Sequence, residues 1–379
     1  MEPYYYTKLP KHHQSVYHAI FQGLMNLEDS FLVPRIDGRE LTDLFFRLRL
    51  DHPEIFWASG FHYKYYQDSP NLIFEPEYLF EKGKIKEHKK ALASRVEKLI
   101  RPAAKLSEWE KEKYIHDFIC ENVHYDKLKK PYSHEIIGPL GQGVGVCEGI
   151  AKTVKCLCDA LGIWCMIALS GNNPEKGIKY RHTWNIVRIG KSYYHLDATF
   201  DNSLGRNYSH ASNIASDSGN AGTTHGDIAQ HPIPGNKKSG KKGSASTRIR
   251  YDYFNLDDKQ IFRDHEPLIA PAPACTDSAH SYYKEKKLSF AKTEDVYRRA
   301  LQAAKKEKPL TFHWKGCYLT RSVLDELLAQ IAKAGTERQK MPCISLNWPQ
   351  AVLHVEYVAN PQQATIVMEQ ANEGEETDV

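Results

Sequence analysis

Residues 141–162 read GQGVGVCEGIAKTVKCLCDALG, a glycine-rich turn that hands one cysteine, Cys147, to the start of a helix. After it, Ile150, Ala151, Val154, Leu157, Cys158 and Leu161 keep the i, i+3, i+4, i+7 spacing of a helix with one buried face. Gly162 falls where a left-handed cap ends such a helix. A cysteine in the first turn sits among backbone N–H groups that lack internal partners, where the helix dipole favours negative charge, so a thiolate is stabilised there. Gly141, Gly143 and Gly145 allow backbone conformations closed to residues with a β-carbon and let a substrate backbone approach the sulfur. The competing reading of any free cysteine is a small buried apolar residue. The thiol alone therefore does not decide, and its partners must be sought elsewhere in the chain.

They are sought in RHTWNIVRIGKSYYHLDATFDN, residues 181–202, which scans as a hairpin turning at Gly190-Lys191. A two-residue loop there pairs Ile189 with Ser192, Trp184 with Asp197 and His182 with Thr199. His182 and Asp197 then share one face as diagonal neighbours, about 7–8 Å apart or less at their β-carbons, near enough for a carboxylate to accept an imidazole N–H. An orienting acid and a base are thus brought together by the pleat, and the fold has to supply the approach of Cys147. His195 lies on the same predicted face and is a competing base; a satisfied strand histidine and a turn-capping aspartate are the bland alternatives. His182 is preferred because it opens its strand, at the end from which a site can be reached.

Composition bounds the rest. At 379 residues the chain has room for about two or three domains. A net charge of +4, with no basic stripe interleaved with aromatics outside one low-complexity segment, gives no reason to expect a nucleic acid partner. The start, MEPYYYTKLPKHH, has no apolar signal core, and no run approaches the roughly 20 apolar residues of a membrane span, so no membrane partner and a cytoplasmic location are expected. The eight cysteines, at 120, 147, 156, 158, 165, 275, 317 and 343, lack the dense regular spacing of a disulfide framework, and free thiols are expected. Cys156 and Cys158 project to different sides of the predicted helix, whereas structural zinc favours a Cys-x-x-Cys turn with a second ligand pair, so no metal is expected.

In chain order, residues 1–83 form an aromatic-rich α+β region with helices near 13–27 and 39–51 and strand-like segments at 55–57 and 61–66. Residues 84–123 carry two helices split at Arg101-Pro102, the second opened by a capping box of Ser107 and Glu110. Residues 164–170 read as a buried strand. A disordered insertion is expected over 203–250, where Ser, Gly, Asn, His and Lys leave too little apolar surface to offset ordering entropy. After an APAPA linker at 270–274, residues 280–368 suggest a small α+β domain with helices near 293–305 and 322–334 and strands near 310–313, 344, 352–358 and 364–368. Residues 369–379 read as a disordered acidic tail.

Taken together, Gly-Val-Cys147-Glu-Gly, then His182-Thr-Trp184-Asn185-Ile, then Tyr194-His-Leu-Asp197-Ala-Thr199-Phe-Asp201, and later Tyr253-Phe-Asn255-Leu-Asp257, resemble the transglutaminase-like (papain-like cysteine) superfamily in its bacterial form. The similarity covers roughly residues 84–270; Asp51-His-Pro-Glu-Ile-Phe-Trp57 resembles the leader region of such proteins less diagnostically. The resemblance implies an α+β papain/transglutaminase-like core, a cysteine-bearing helix packed on an antiparallel sheet, flanked by N- and C-terminal α+β regions. It implies Cys147 as nucleophile, His182 as general base then acid, and Asp197 as orienter of a Cys-His-Asp triad that uses no cofactor. The expected activity is that of a cysteine-dependent amide hydrolase or acyltransferase: a protease, deamidase or transglutaminase-type enzyme working through a thioester on a peptide or protein substrate. The oxyanion donors expected are the Cys147 backbone N–H and the side chain of Gln142; papain-type enzymes use a glutamine upstream of the cysteine. Trp184 is a candidate to contact substrate and shield the thioester, or else packing. The alternative is a catalytically inactive peptide-binding or scaffolding protein on the same fold.

Overall fold

A computed structural model describes residues 2–178, 181–211, 249–315, 318–359 and 366–369. The chain divides into two compact units, one of 1–249 with 266–273 and one of 250–265 with 274–379.

The first unit opens with helices α1 (Tyr4–Thr7) and α2 (Lys11–Asn26), strand β1 (Phe31–Pro34), helix α3 (Gly38–Asp51) and strands β2 (Ala58–Tyr65) and β3 (Asn71–Tyr78). The three strands form an antiparallel sheet of order β1-β3-β2. The segment 55–57, expected as a strand, is a buried turn: Ile55, Phe56 and Trp57 are fully enclosed, and the Trp57 indole donates to the Leu24 carbonyl at 3.2 Å. Its apolar run reflects burial on all sides rather than pleat. The buried Asp51 carboxylate accepts the Tyr5 and Tyr6 backbone N–H groups and the Tyr17 hydroxyl, and Tyr5 Oη donates to the Ile167 carbonyl at 2.6 Å. These bonds carry the amino-terminal region into the same unit as the central sheet.

Two long helices follow, α4 (Lys82–Ile100) and α5 (Glu108–Asn122), separated by a short 3-10 turn at Arg101–Ala103. Ser107 and Glu110 make the expected capping box. A two-residue parallel bridge joins β4 (His124–Tyr125) to β5 (Val144–Gly145), and helix α6 (Cys147–Ala160) starts two residues later. It ends as the spacing predicts: Gly162 adopts φ +76°, and the Ile163 N–H reaches back to the Cys158 carbonyl.

Helix α6 packs on an antiparallel sheet whose strands β6 (Cys165–Leu169), β7 (Thr183–Ile189) and β8 (Ser192–Leu196) lie in that order. All five residues of β6 are buried, as its unbroken apolar run requires. The Asn185 side chain ties the sheet to the helix by donating to the Ala151 carbonyl at 3.0 Å. The β7–β8 hairpin has the predicted register, with Ile189 opposite Ser192 and a positive φ of 62° at Gly190. The ladder nevertheless stops at Asn185–Leu196, short of the expected Trp184–Asp197 and His182–Thr199 pairs. A helix begins there instead, α7 (Ala198–Ala211), because Asp197 Oδ1 accepts the Thr199 and Phe200 N–H groups at 2.8 and 3.0 Å and so caps it. The helix runs into the stretch expected to be disordered from 203; residues 212–248 of that stretch lie outside the described residues.

The second unit begins at 250 rather than after the 270–274 segment, because residues 250–265 bond within it. It contains β9 (Phe254–Leu256), α8 (Asp258–Ile261), α9 (Tyr282–Glu285), β10 (Ser289–Phe290), α10 (Thr293–Lys306), β11 (Leu310–Trp314), α11 (Arg321–Thr336), β12 (Met341–Asn347), β13 (Val352–Val358) and β14 (Ile366–Glu369). Buried Asp252 gathers Arg250, Tyr283 and Asn347, which explains where the boundary falls. Strands β10 to β14 form a sheet of order β10-β11-β13-β12-β14, and α10 and α11 close its core through Val296, Ala300, Leu327 and Ile331. Among the described residues, no helix is long and apolar enough to cross a membrane.

Candidate active site

Cys147 is the first residue of α6 and is half-buried. Val146 precedes it in extended conformation and gives no side-chain cap to the first turn. The glycine turn is needed, although for a different reason from the one the sequence suggests. Only Gly143, of the three glycines at 141, 143 and 145, takes a positive φ, +66°. A β-carbon on Gly145 would lie 2.8 Å from Pro139 Cγ, and one on Gly149 would lie 2.1 Å from the Ser133 carbonyl oxygen. The glycines let the loop and the first turn of α6 pack against neighbouring backbone, which fixes where the sulfur stands.

His182 sits at the entrance of β7, its carbonyl accepting the Ser170 N–H at 3.0 Å, and the residue is 7% exposed. Its Nε2 is 2.6 Å from Asp197 Oδ2, and the Cys147 thiol lies within hydrogen-bonding reach of the same ring. Burial disfavours the imidazolium, but the Asp197 carboxylate with its hydrogen bond, and then the Cys147 sulfur, outweigh it and hold the His182 pKa well above the ordinary value of 6.5. Asp197 therefore serves two neighbours. One oxygen caps α7 and the other orients His182, so the position of the helix sets the position of the carboxylate.

The rest of the setting holds the imidazole. Trp184 stacks on His182 at 5.6 Å between centroids and 20° between planes, and Phe200 of α7 contacts it at 4.9 Å. Trp184 is 1% exposed and packs on the imidazole, one of the two places that the sequence leaves open to it. Its indole N–H donates to His195 Nδ1 at 2.9 Å, so the competing base is engaged by Trp184. Gln142 ends a π-helical turn, Gly138–Gln142, and is half-buried. The hairpin pattern hides Phe200 as a neighbour of His182, because it extends the strand through a segment that is helix; the sequence signal for that helix is Asp197 followed by Ala-Thr, an N-cap pattern.

Beneath the first turn of α6 runs an ion network that the sequence did not disclose. Lys152, fully buried, is 2.8 Å from both Glu148 and Glu135, and Arg49 of α3 pairs with the same two carboxylates. His134 completes it at 3.2 Å from Glu148. Against the cost of burial, Lys152 foremost, then His134 and Arg49, keep the Glu148 carboxyl well below its usual range. The residue after Cys147 is thereby anchored to Lys152, His134 and Arg49.

The cysteines at 156, 158 and 165 do not form a ligand cluster: Cys158 and Cys165 are hydrogen-bonded to each other in the core, and the Asn185 amide donates to Cys165 Sγ at 3.4 Å. Every cysteine among the described residues is a free thiol.

Residues 93–198 match the family model of the Transglutaminase-like superfamily, a span that includes Cys147, His182 and Asp197. No curated protein matches the chain. Among solved structures it is similar to the crystal structure of a TGase, at 11% identity and TM-score 0.26 over 46% of this chain and 50% of that one. It is also similar to a "Putative Cysteine Protease from Cytophaga hutchinsonii", at 15% identity and TM-score 0.24 over 37% of this chain and 61% of that one. The chain thus spans between half and two thirds of the length of these structures. Residues 93–198, in which a cysteine-bearing helix packs on an antiparallel sheet, are thus the part of the chain that matches this family model.

Proposed function

We propose that the protein is a cysteine-dependent amide hydrolase or acyltransferase that acts through a thioester on a peptide or protein substrate. In this reading Cys147 is the nucleophile, His182 the general base and then acid, and Asp197 the group that orients the imidazole. The observation that carries it is the 2.6 Å bond between His182 and Asp197 on a ring that also interacts with the Cys147 thiol.

With Nε2 given to Asp197, Nδ1 is the nitrogen that exchanges a proton with sulfur. A raised imidazole pKa favours the thiolate–imidazolium pair over the neutral pair. The thiolate attacks the amide carbonyl carbon, and the carbonyl electron pair becomes an oxyanion facing the Cys147 backbone N–H and, as a proposed second donor, the Gln142 amide. Collapse of this intermediate expels the amine, which takes its proton from His182 and leaves an acyl thioester. Water activated by the same imidazole gives an acid, and a primary amine gives a new amide. Hydrolysis is preferred, because transfer requires a site that excludes water. A reducing compartment such as the cytoplasm would keep the nucleophile as a thiol.

The test is the rate of Cys147 alkylation against pH, followed by the mass of the peptide that contains it, together with trapping of an acyl adduct from a cell extract. The reading predicts rapid alkylation at neutral pH that is lost in His182→Ala, and an adduct absent from Cys147→Ala. A slow thiol, unaffected by His182→Ala, would leave the non-catalytic peptide-binding protein in its place.

A further inference from the structure

Helix α7 carries two buried carboxylates four residues apart, Asp197 at its cap and Asp201 one turn later, and each meets a histidine. Asp201 Oδ2 is 3.0 Å from Nε2 of His116 on α5, and both side chains are fully buried. The same face of α7 is fastened to the end of α5 twice more: the Asn202 amide donates to the Val123 carbonyl at 2.8 Å, and Arg206 donates to the Val123 carbonyl at 2.7 Å and the Cys120 carbonyl at 3.4 Å. Helix α7 thus brings Asp197 and the Phe200 ring to His182 while its next turn is held against α5.

We propose that His116 and Asp201 are positioning residues for the reacting imidazole, fixing through α7 the point at which the Asp197 carboxylate meets His182. The physical reason is rigidity. Asp197 Oδ1 is committed to the first turn of α7, so Oδ2 cannot follow His182 independently; wherever the helix N-terminus stands, the orienting oxygen stands with it. Asp201 is the nearest side chain along the helix that anchors this turn to another element by a charge-assisted bond, and in a dry interior such a bond holds geometry tightly. His116 keeps the proton that the bond needs: burial opposes its charge, but Cys120, Asp117 and Asp201 together raise its pKa well above 6.5. The Cys120 sulfur lies 3.7 and 3.9 Å from the two ring nitrogens, and Asp117 Oδ1 lies 3.6 Å from Nδ1. This inference rests on the proposed role of Cys147 and His182.

Two amides separate a positioning role from a structural one. A glutamine at 116 puts its nitrogen near the place of Nε2 and reaches Asp201, whereas an asparagine puts its nitrogen near Nδ1 and falls short. Cys147 alkylation against pH is measured on the full chain for the wild type, His116→Gln, His116→Asn, His182→Ala and Ile20→Ala, the last a buried change in α2 that controls for lost stability. The proposal expects His116→Asn to move the midpoint toward that of His182→Ala and to slow alkylation at neutral pH about tenfold. It expects His116→Gln to stay near the wild type, and Ile20→Ala to leave the midpoint unmoved. Should His116→Asn not fold, Asp201→Ala, which removes the buried charge together with the bond, is expected to give the same shift. A folded His116→Asn or Asp201→Ala protein with the wild-type profile overturns the proposal. If the wild type itself shows no dependence on His182, the functional reading fails, and that result is recognised before any variant at 116 is compared.

Discussion

The first unit contains two constellations of the same three residue types, joined by one helix. In one, His182 bonds Asp197 and interacts with Cys147; in the other, His116 bonds Asp201 and lies against Cys120. Both imidazoles are buried, and both have raised pKa values. The sulfurs differ. Cys147 is half-buried and opens a helix, whereas Cys120 is 1% exposed in the last turns of α5, where burial, working against the His116 charge, pushes its thiol pKa up. A cysteine, a histidine and an aspartate in contact are therefore not enough to make a nucleophile. Access and position in the helix are what separate the two sulfurs: one opens a helix at a half-buried site, the other lies closed inside the core.

The comparison breaks most decisively at sulfur. Adduct formation with an amide-derived probe should be lost entirely in Cys147→Ser and unchanged in Cys120→Ser, read by intact mass; labelling at Cys120 in the folded protein would erase the distinction. Next in size, His182→Ala should lower the alkylation rate of Cys147 at neutral pH by about 10²- to 10⁴-fold, the usual contribution of a positioned base. His195→Ala serves as the smallest expected effect: loss of the acceptor for the Trp184 indole costs about 1–3 kcal/mol of stability while Cys147 keeps its alkylation rate. If His195→Ala alone removed the activation, the assignment of the base would reverse.

Between these lies a pH effect on stability. Both imidazoles have folded pKa values above 6.5, so each pair's contribution is whole below about pH 6.5 and is lost as the pH rises through the folded value. The thermal midpoint of the wild type should therefore fall from about pH 6.5 upward, and the fall should be shallower in Asp201→Asn, where one of the two carboxylates beside His116 is neutral. Calorimetry across that range gives the slope for each. Equal slopes would mean that the His116 pair does not titrate with folding.

Much of this was legible from local pattern. The periodicity after Cys147 gave a helix that ends with Gly162 at positive φ, and the Ser107–Glu110 capping box is present. The turn at Gly190-Lys191 set the β7–β8 register, since parity follows from loop length. The helices and strands of the second unit run close to where periodicity put them. What failed shares one cause: competition that only a partner settles. Residues 55–57 satisfied a strand pattern yet form a buried turn, and residues 198–201 satisfied one yet form a helix, because the Asp197 side chain captured two backbone N–H groups. Trp184, which the sequence leaves open to substrate contact or packing, packs on His182 and donates its indole N–H to His195.

The sequence by itself determined the helix that bears Cys147, the hairpin beside it, and the closeness of His182 to Asp197, all of which depend on spacing within about 20 residues. Only the tertiary structure decided that Cys147 reaches His182 across 35 positions of chain, that Asp197 is a cap as well as a partner, and that His116 lies against Asp201. Contacts between distant segments depend on how helices and sheet stack, and no periodicity encodes that.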